Sequence, residues 1–275
     1  MAVYLYTAQM LTRIGGKPAL AVEHGGEGPL VVFLHGIGGN RSNWREQLDA
    51  LTPRFQVAAW DARGYGDSDD YEGALDFGDF SRDLARVLDH FGERAAHLVG
   101  LSMGGMIAQD FYRRFPDRVL SMVLADTRNG FQRHNSEEFL RKREAPLLAG
   151  LTPADIAPEL ANTLASASAP PAVRERLRAS IARLHKDSYL KTLRVTSRLG
   201  TEGDLKGREA FLELEQVRVP VLVICGGADS VTPPPMSEEI VRRTPGARYV
   251  LIEGAGHLSN IENPAAFNAA LASFL

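Results

Sequence analysis

Ser102 stands in the stretch HLVGLSMGG over residues 97–105, between a buried-looking apolar run and an amphipathic segment. Gly100-Leu101-Ser102-Met103-Gly104 fits the pattern G-x-S-x-G, the mark of a serine raised on a sharp strand-to-helix turn. Such a turn strains the serine backbone, and glycines beside it avoid collisions between strand and helix. A hydroxyl at that point is a weak nucleophile until a base takes its proton and an acid orients the base. The chain supplies both groups in equivalent places. Asp229 follows the apolar run 219–225 through Gly226-Gly227-Ala228, and His257 follows the run 247–253 through Gly254-Ala255-Gly256. Three loops at strand ends, in the order Ser, Asp, His, describe nucleophilic acyl transfer with Ser102 as nucleophile, Asp229 as orienter and His257 as general base.

Two backbone groups complete this reading. Met103 opens the segment after the turn, so its N–H can face an oxyanion. His35-Gly36-Ile37-Gly38-Gly39 follows an earlier apolar run, and its glycines let the Ile37 N–H approach as a second oxyanion donor. Simpler readings stand beside these: a glycine-rich packing turn with an incidental serine, and a sharp turn at 35–39 without ligand contact. Asp126 also follows an apolar run and is the competing acid. His35 reads as a hydrogen-bonded turn residue. His24, His90, His97, His134 and His185 have no catalytic context. In Asp61-Ala62-Arg63-Gly64-Tyr65-Gly66-Asp67-Ser68, Asp61 and Arg63 read as the ties of a loop.

The elements that must position these residues follow from hydropathy. Runs at 30–36, 56–61, 96–102, 119–126, 219–225 and 247–253 are rich in Val, Leu and Ile and bounded by turn residues, which predicts strands. Their continuous hydrophobicity predicts a mainly parallel sheet covered on both faces. Helical segments alternate with them at 42–51, 79–91, 103–115 and 236–244. A last helix at 263–275 has Asn263 as its cap and Pro264 at its first position. Residues 8–26 predict an antiparallel edge hairpin turning at Gly15-Gly16-Lys17. The expected class is α/β with right-handed crossovers.

Between Asp126 and the strand at 219 no strand is legible, and helical patches at 136–149, 153–166 and 172–193 fill the interval. A connection this long predicts an inserted helical cap, residues 128–212, on a core made of 1–127 and 213–275. The insert holds 15 Lys and Arg against 10 Asp and Glu, giving +5, whereas the rest carries 16 against 24, giving −8. This division hints at an anionic substrate, although ordinary scatter over solvated helix faces is the plainer account.

At 275 residues and 44% hydrophobic, the chain can bury one large core. The first residues lack the features of a signal peptide, and no run is long enough for a membrane span. Cys225 is the single cysteine, so no intrachain disulfide can form, and a reducing, cytoplasmic compartment is expected. It ends an apolar run and reads as a buried, inert thiol. A net charge of −3 gives no reason to expect a nucleic-acid partner. Trp44 and Trp60 read as core. No metal-ligand cluster or dinucleotide fingerprint occurs in its required context, so neither a metal nor a cofactor is expected. Homo-oligomerisation stays open.

HGIGG, DARGYGDS, GLSMGG, GGADSVTPP and GAGHLSNIENP, in this order and spacing, resemble the α/β-hydrolase superfamily. GLSMGGMIAQ and HLSNIENPAAFNAAL are similar to the 3-oxoadipate enol-lactonase group and its esterase relatives. The resemblance implies an α/β-hydrolase fold and cofactor-free hydrolysis of a small carboxylic ester or lactone, with Ser102, Asp229 and His257 in the catalytic roles. Enol-lactonases of that group often carry a Ser-Asn-Ser-Leu-Gly-like loop where this chain has His35–Gly39. Hydrolases of carbon–carbon bonds in aromatic ring-fission products are the alternative enzyme class. They commonly have a tryptophan where this chain has Leu258. A non-catalytic, ligand-sensing protein on the same fold is the alternative outside enzymes. Dehalogenases and epoxide hydrolases place an aspartate at the elbow, against Ser102. The basic residues of the insert, Arg128, Arg133 and Lys186 among them, are too many for the sequence to single one out as the partner of a substrate carboxylate.

Overall fold

A computed structural model describes residues 9–131 and 136–275. Its frame is one eight-stranded sheet built from the apolar runs. In chain order the strands are β1 (Met10–Ile14), β2 (Leu20–Gly25), β3 (Leu30–Leu34), β4 (Gln56–Trp60), β5 (Ala96–Leu101), β6 (Val119–Ala125), β7 (Val221–Gly226) and β8 (Arg248–Ile252). Their spatial order is β1-β2-β4-β3-β5-β6-β7-β8. The first hairpin is antiparallel and joins β4 antiparallel, whereas β4, β3, β5, β6, β7 and β8 run parallel. Every residue of β3 and β7 is buried, which is why these runs are apolar without alternation.

Helices α1 (Arg45–Leu51), α2 (Gly78–His90) and α3 (Met103–Arg114) fall where the sequence places them. Between β6 and β7 the chain forms α4 (Ser136–Leu148), α5 (Pro153–Leu164), α6 (Pro171–Ala182) and α7 (Lys186–Ser197), and α5 packs on α6 while α4 packs on α7. The patch expected at 172–193 is therefore two helices. The chain turns at Arg183–His185, where the Leu184 N–H donates to Ile181 in place of a helical partner. The two ends of this excursion are clasped together. Asn129 Nδ2 donates to the Leu212 carbonyl at 2.9 Å, the Leu212 N–H returns to Asn129 Oδ1 at 3.0 Å, and the Phe131 N–H donates to the Glu209 carbonyl at 2.7 Å. The chain closes with α8 (Pro234–Arg243), the short α9 (Ser259–Glu262) and α10 (Pro264–Phe274). Asn263 caps α10 by accepting the Ala266 N–H at 3.2 Å.

α2 packs against α3 and α1 against α10, so the sheet carries helices in two groups. Trp44 and Trp60 are wholly buried in the core between them. Because β5, β7 and β8 run parallel, the loops that follow them open on one edge of the sheet. Among the described residues no helix is long and apolar enough to cross a membrane.

Candidate active site

The turn after β5 is built by close packing. A methyl on Gly104 would come within 1.9 Å of the Leu34 carbonyl oxygen, and one on Gly100 within 2.3 Å of the Gly104 carbonyl oxygen. Both contacts are with backbone, which cannot swing aside. Ser102 takes φ 55° and ψ −117°, a conformation that costs a residue with a side chain on the order of 1–3 kcal/mol. Surrounding bonds hold it there. Its N–H donates to the Ala125 carbonyl at 2.9 Å, and its carbonyl accepts from the Gly105 and Met106 N–H groups and from Thr127 Oγ1.

Ser102 Oγ donates to His257 Nε2 at 2.9 Å, and His257 Nδ1 donates to Asp229 Oδ2 at 2.8 Å. These partners fix the imidazole tautomer. Asp229 is itself held: Oδ1 accepts the Val231 and Thr232 N–H groups at 2.7 and 3.0 Å, and Oδ2 accepts Thr232 Oγ1 at 2.8 Å. Burial alone would raise this carboxyl, but the hydrogen bond and charge of His257, with the Thr232 donors, hold it below its ordinary value. The Ile37 and Met103 N–H groups donate to no acceptor among the described residues, and both residues line the space beside Ser102.

Asp126 does other work. Its Oδ1 accepts the Gly226 N–H at 2.8 Å, and its Oδ2 accepts the Ser259 N–H at 3.2 Å and the Ser259 hydroxyl at 2.5 Å. It joins the ends of β6 and β7 to the turn after His257, while His257 faces Asp229. Complete burial, reinforced by the Asp229 carboxylate and partly offset by His257, raises the Asp126 carboxyl to about 7. Asp126, Cys225 and Asp229 bring one potential ligand atom each within 4.8 Å of one another. The oxygens of both carboxylates are taken by the donors just named, and burial pushes the Cys225 thiol up to about 12. That thiol is the buried, unreactive group expected.

His35 is buried and neutral in its turn. Nδ1 donates to the Gly36 carbonyl at 2.8 Å, Nε2 accepts the Ala62 N–H at 3.1 Å, and burial lowers its pKa. Asp61 and Arg63 do tie loops, but to different partners. Asp61 pairs with Arg41, and Arg63 forks onto Asp83 at 2.7 and 3.0 Å. His24, His97 and His185 bond Thr12, Ser121 and the Gly66 carbonyl.

A cavity of about 420 Å³ opens beside Ser102 and His257, with α4, α5 and α7 on its far side. Of the basic candidates, Arg128 lines it, Lys186 lies at the start of α7 outside its lining, and Arg133 falls outside the described residues, as does His134. Two features of the site were not read from sequence. Thr232 holds Asp229, and its signal was local: a hydroxyl three residues after a loop aspartate. The excursion also grips the histidine loop. The His257 N–H donates to the Leu164 carbonyl at 3.1 Å, and the Ser166 N–H donates to the Glu262 carboxylate at 3.2 Å. No local pattern announces a contact between segments so far apart.

The family model described as "alpha/beta hydrolase fold" matches residues 29–264. Polyketide synthase ThaQ of Burkholderia thailandensis is 32% identical over 275 residues, which are 98% of this chain but only 13% of that much longer protein. The 3-oxoadipate enol-lactonase 2 of Acinetobacter baylyi is 27% identical over 244 residues, covering 88% of this chain and 87% of its own. A solved thermophilic esterase from Thermogutta terrifontis superposes with a TM-score of 0.85 at 28% identity, covering 96% of this chain and 97% of its own. The likeness expected from the motifs is thus found across nearly the whole chain, and the protein is a member of the α/β-hydrolase fold family, an enzyme of the hydrolase class.

Proposed function

We propose that this enzyme hydrolyses a small carboxylic ester or lactone through an acyl-Ser102 intermediate. The observation that carries the reading is the hydrogen-bonded relay Ser102–His257–Asp229, at 2.9 and 2.8 Å, set at a strained turn beside the cavity. As Ser102 Oγ attacks the substrate carbonyl, its proton passes to His257 Nε2, and Asp229 stabilises the imidazolium that results. The oxyanion takes hydrogen bonds from the Ile37 and Met103 N–H groups, whose donors are otherwise unused. Collapse of the adduct breaks the acyl C–O bond, and His257 returns the proton to the departing alkoxide. In a lactone that alkoxide stays tethered to the acyl group. Water then gives one proton to His257 and its hydroxyl to the acyl carbon, and as the acyl–Oγ bond breaks His257 passes that proton to Ser102 Oγ, releasing the acid and the free serine.

Residues 128–212 serve in this reading as the cap that shapes the acyl pocket. The clasp at Asn129 and Leu212 supports those limits, and the bond from His257 to Leu164 ties the cap to the catalytic loop. The test compares an enol-lactone, a neutral short-chain ester and a ring-fission dienoate, with Ser102→Ala beside the wild type. Ester or lactone turnover falling by about 10⁴-fold or more in the variant supports the mechanism. Dienoate cleavage alone, or activity retained without the hydroxyl, overturns it. A fluorophosphonate should label Ser102, which a ligand-sensing protein would not permit.

A further inference from the structure

The polar groups on the cap side of the cavity differ in what already engages them. Lys142 and Glu159 are exposed. Arg143 lies over the Phe139 ring at 5.3 Å, and its charge is felt by the Tyr189 hydroxyl. Arg128, just beyond β6, is half-buried, and its guanidinium meets no carboxylate and no hydrogen-bond acceptor among the described residues. Other partly buried arginines are treated otherwise: Arg41 is paired with Asp61, Arg63 with Asp83, and Arg113 and Arg114 with Asp110. Burial pulls the Arg128 pKa below its usual value, with no anion to restore it. A guanidinium nevertheless stays charged in a protein, and withdrawing it from water without a counter-charge is costly. On α7, which also lines the cavity, the Ser197 hydroxyl is buried and also has no hydrogen-bond partner. A forked cation and a free hydroxyl therefore face one cavity that also contains the nucleophile.

We propose that Arg128, with the Ser197 hydroxyl of the same cavity as a further donor, binds a free carboxylate of the substrate, so that the preferred substrates are half-esters of dicarboxylic acids or lactones bearing a carboxylate. The proposal rests on the acyl-serine reading for its catalytic part. The fork of Arg128 suits a carboxylate because two parallel N–H donors match its two oxygens. Anchoring that end would fix the scissile carbonyl relative to Ser102 and exclude neutral esters of the same length.

The test uses monoethyl and diethyl succinate, glutarate and adipate, assayed per ester bond with wild type, Arg128→Gln and Arg128→Lys. For at least one chain length the wild type should favour the monoethyl ester in kcat/KM by about 10- to 100-fold. Arg128→Gln should lower kcat/KM for the monoethyl ester by about 10- to 100-fold more than for the diethyl ester, erasing that preference, and Arg128→Lys should restore part of it. Preference for the diethyl ester at every length, or equal loss on both members of a pair in Arg128→Gln, overturns the proposal. A second arm does not need turnover: calorimetric binding of monoethyl and diethyl adipate to the Ser102→Ala protein, with and without Arg128→Gln. Monoethyl adipate bound in an Arg128-dependent way supports the anchor, and binding indifferent to Arg128 overturns it. Absence of any turnover by the wild type, of these esters and of the enol-lactone alike, would instead refute the acyl-serine reading, and the binding arm would still decide the role of Arg128.

Discussion

Replacing Asp126 by asparagine should stabilise the protein in alkaline solution and weaken it in acid. The carboxyl is completely buried, and its pKa rises from 3.8 to about 7. The folded chain therefore keeps a proton that the unfolded chain releases. Its contribution is complete below about pH 3.8, falls as pH rises, and is lost by about pH 7. At about 1.4 kcal/mol per pH unit the whole penalty is on the order of 4 kcal/mol, of which roughly 2.5 lies between pH 5 and 8. Asparagine is neutral throughout, and it tolerates the positive φ of 45° at this position. It can still accept the Gly226 N–H, but its amide nitrogen leaves the Ser259 N–H without an acceptor, at a cost of about 1–3 kcal/mol. The two stability curves should then cross between about pH 4.5 and 6.

Melting temperatures of both proteins from pH 5 to 8 give the assay. Asp229 and His35, whose folded-state pKa values are lowered, contribute with the opposite sign, since their stability is lost as pH falls. His35 lies apart from Asp126 and cancels in the difference, and Asp229, held below its ordinary value, stays ionised in both proteins from pH 5 to 8. With about 2–4 °C per kcal/mol for a chain of this size, the variant should gain about 5–10 °C on the wild type across that range. Parallel profiles, or a gap that moves the other way, would show that Asp126 is ionised in the folded protein and would refute the reasoning.

Gly104→Ala drives a methyl to within 1.9 Å of the Leu34 carbonyl oxygen and should lower the melting temperature by more than about 8 °C, whereas Gly15→Ala, with nothing within 4 Å, should stay within about 2 °C of wild type. Circular-dichroism melts decide between them, and equal melting would remove the packing account of the elbow. Thr232→Val deletes the hydroxyl that donates to Asp229 Oδ2 at 2.8 Å but keeps the backbone donor to Oδ1. It should lower kcat by about 5- to 20-fold with KM unchanged. Steady-state kinetics giving an unaltered kcat would exclude Thr232 from positioning the acid.

The frame of the candidate site was legible because local rules and tertiary placement agree there. Apolar runs broken by Gly100, Gly226 and Gly254 announce both the strands and the direction in which their loops emerge, so three short motifs locate one edge of the sheet. The choice between Asp229 and Asp126 was not settled by residue type or spacing alone, since both follow a strand. It rests on partners 100 and 133 residues from Asp126, Gly226 and Ser259, which draw its oxygens away from His257. The break at Arg183–His185 escaped notice for a related reason: no glycine or proline marks it.

Charge counting shows where a linear reading runs short. The excess of +5 over residues 128–212 treats every cation alike, yet Arg176 pairs with Glu46 of the core, Arg183 with Asp67, and Arg194 with Glu144 in the same excursion. Two cations of the excursion are thus taken by acids of the core and a third by an acid of its own segment, while Asp204 of the excursion meets Arg113 and Arg114 of the core, so the net charge of a segment does not say which cation is left over. The specificity signal lies in a guanidinium left out of that pairing. Arg128 has a side chain that ought to have found a carboxylate, as Arg41 and Arg63 did, and it stands instead against the cavity beside Ser102. A half-buried cation without a partner gives up part of its hydration for nothing, and the proposed counter-charge is one that arrives with the substrate.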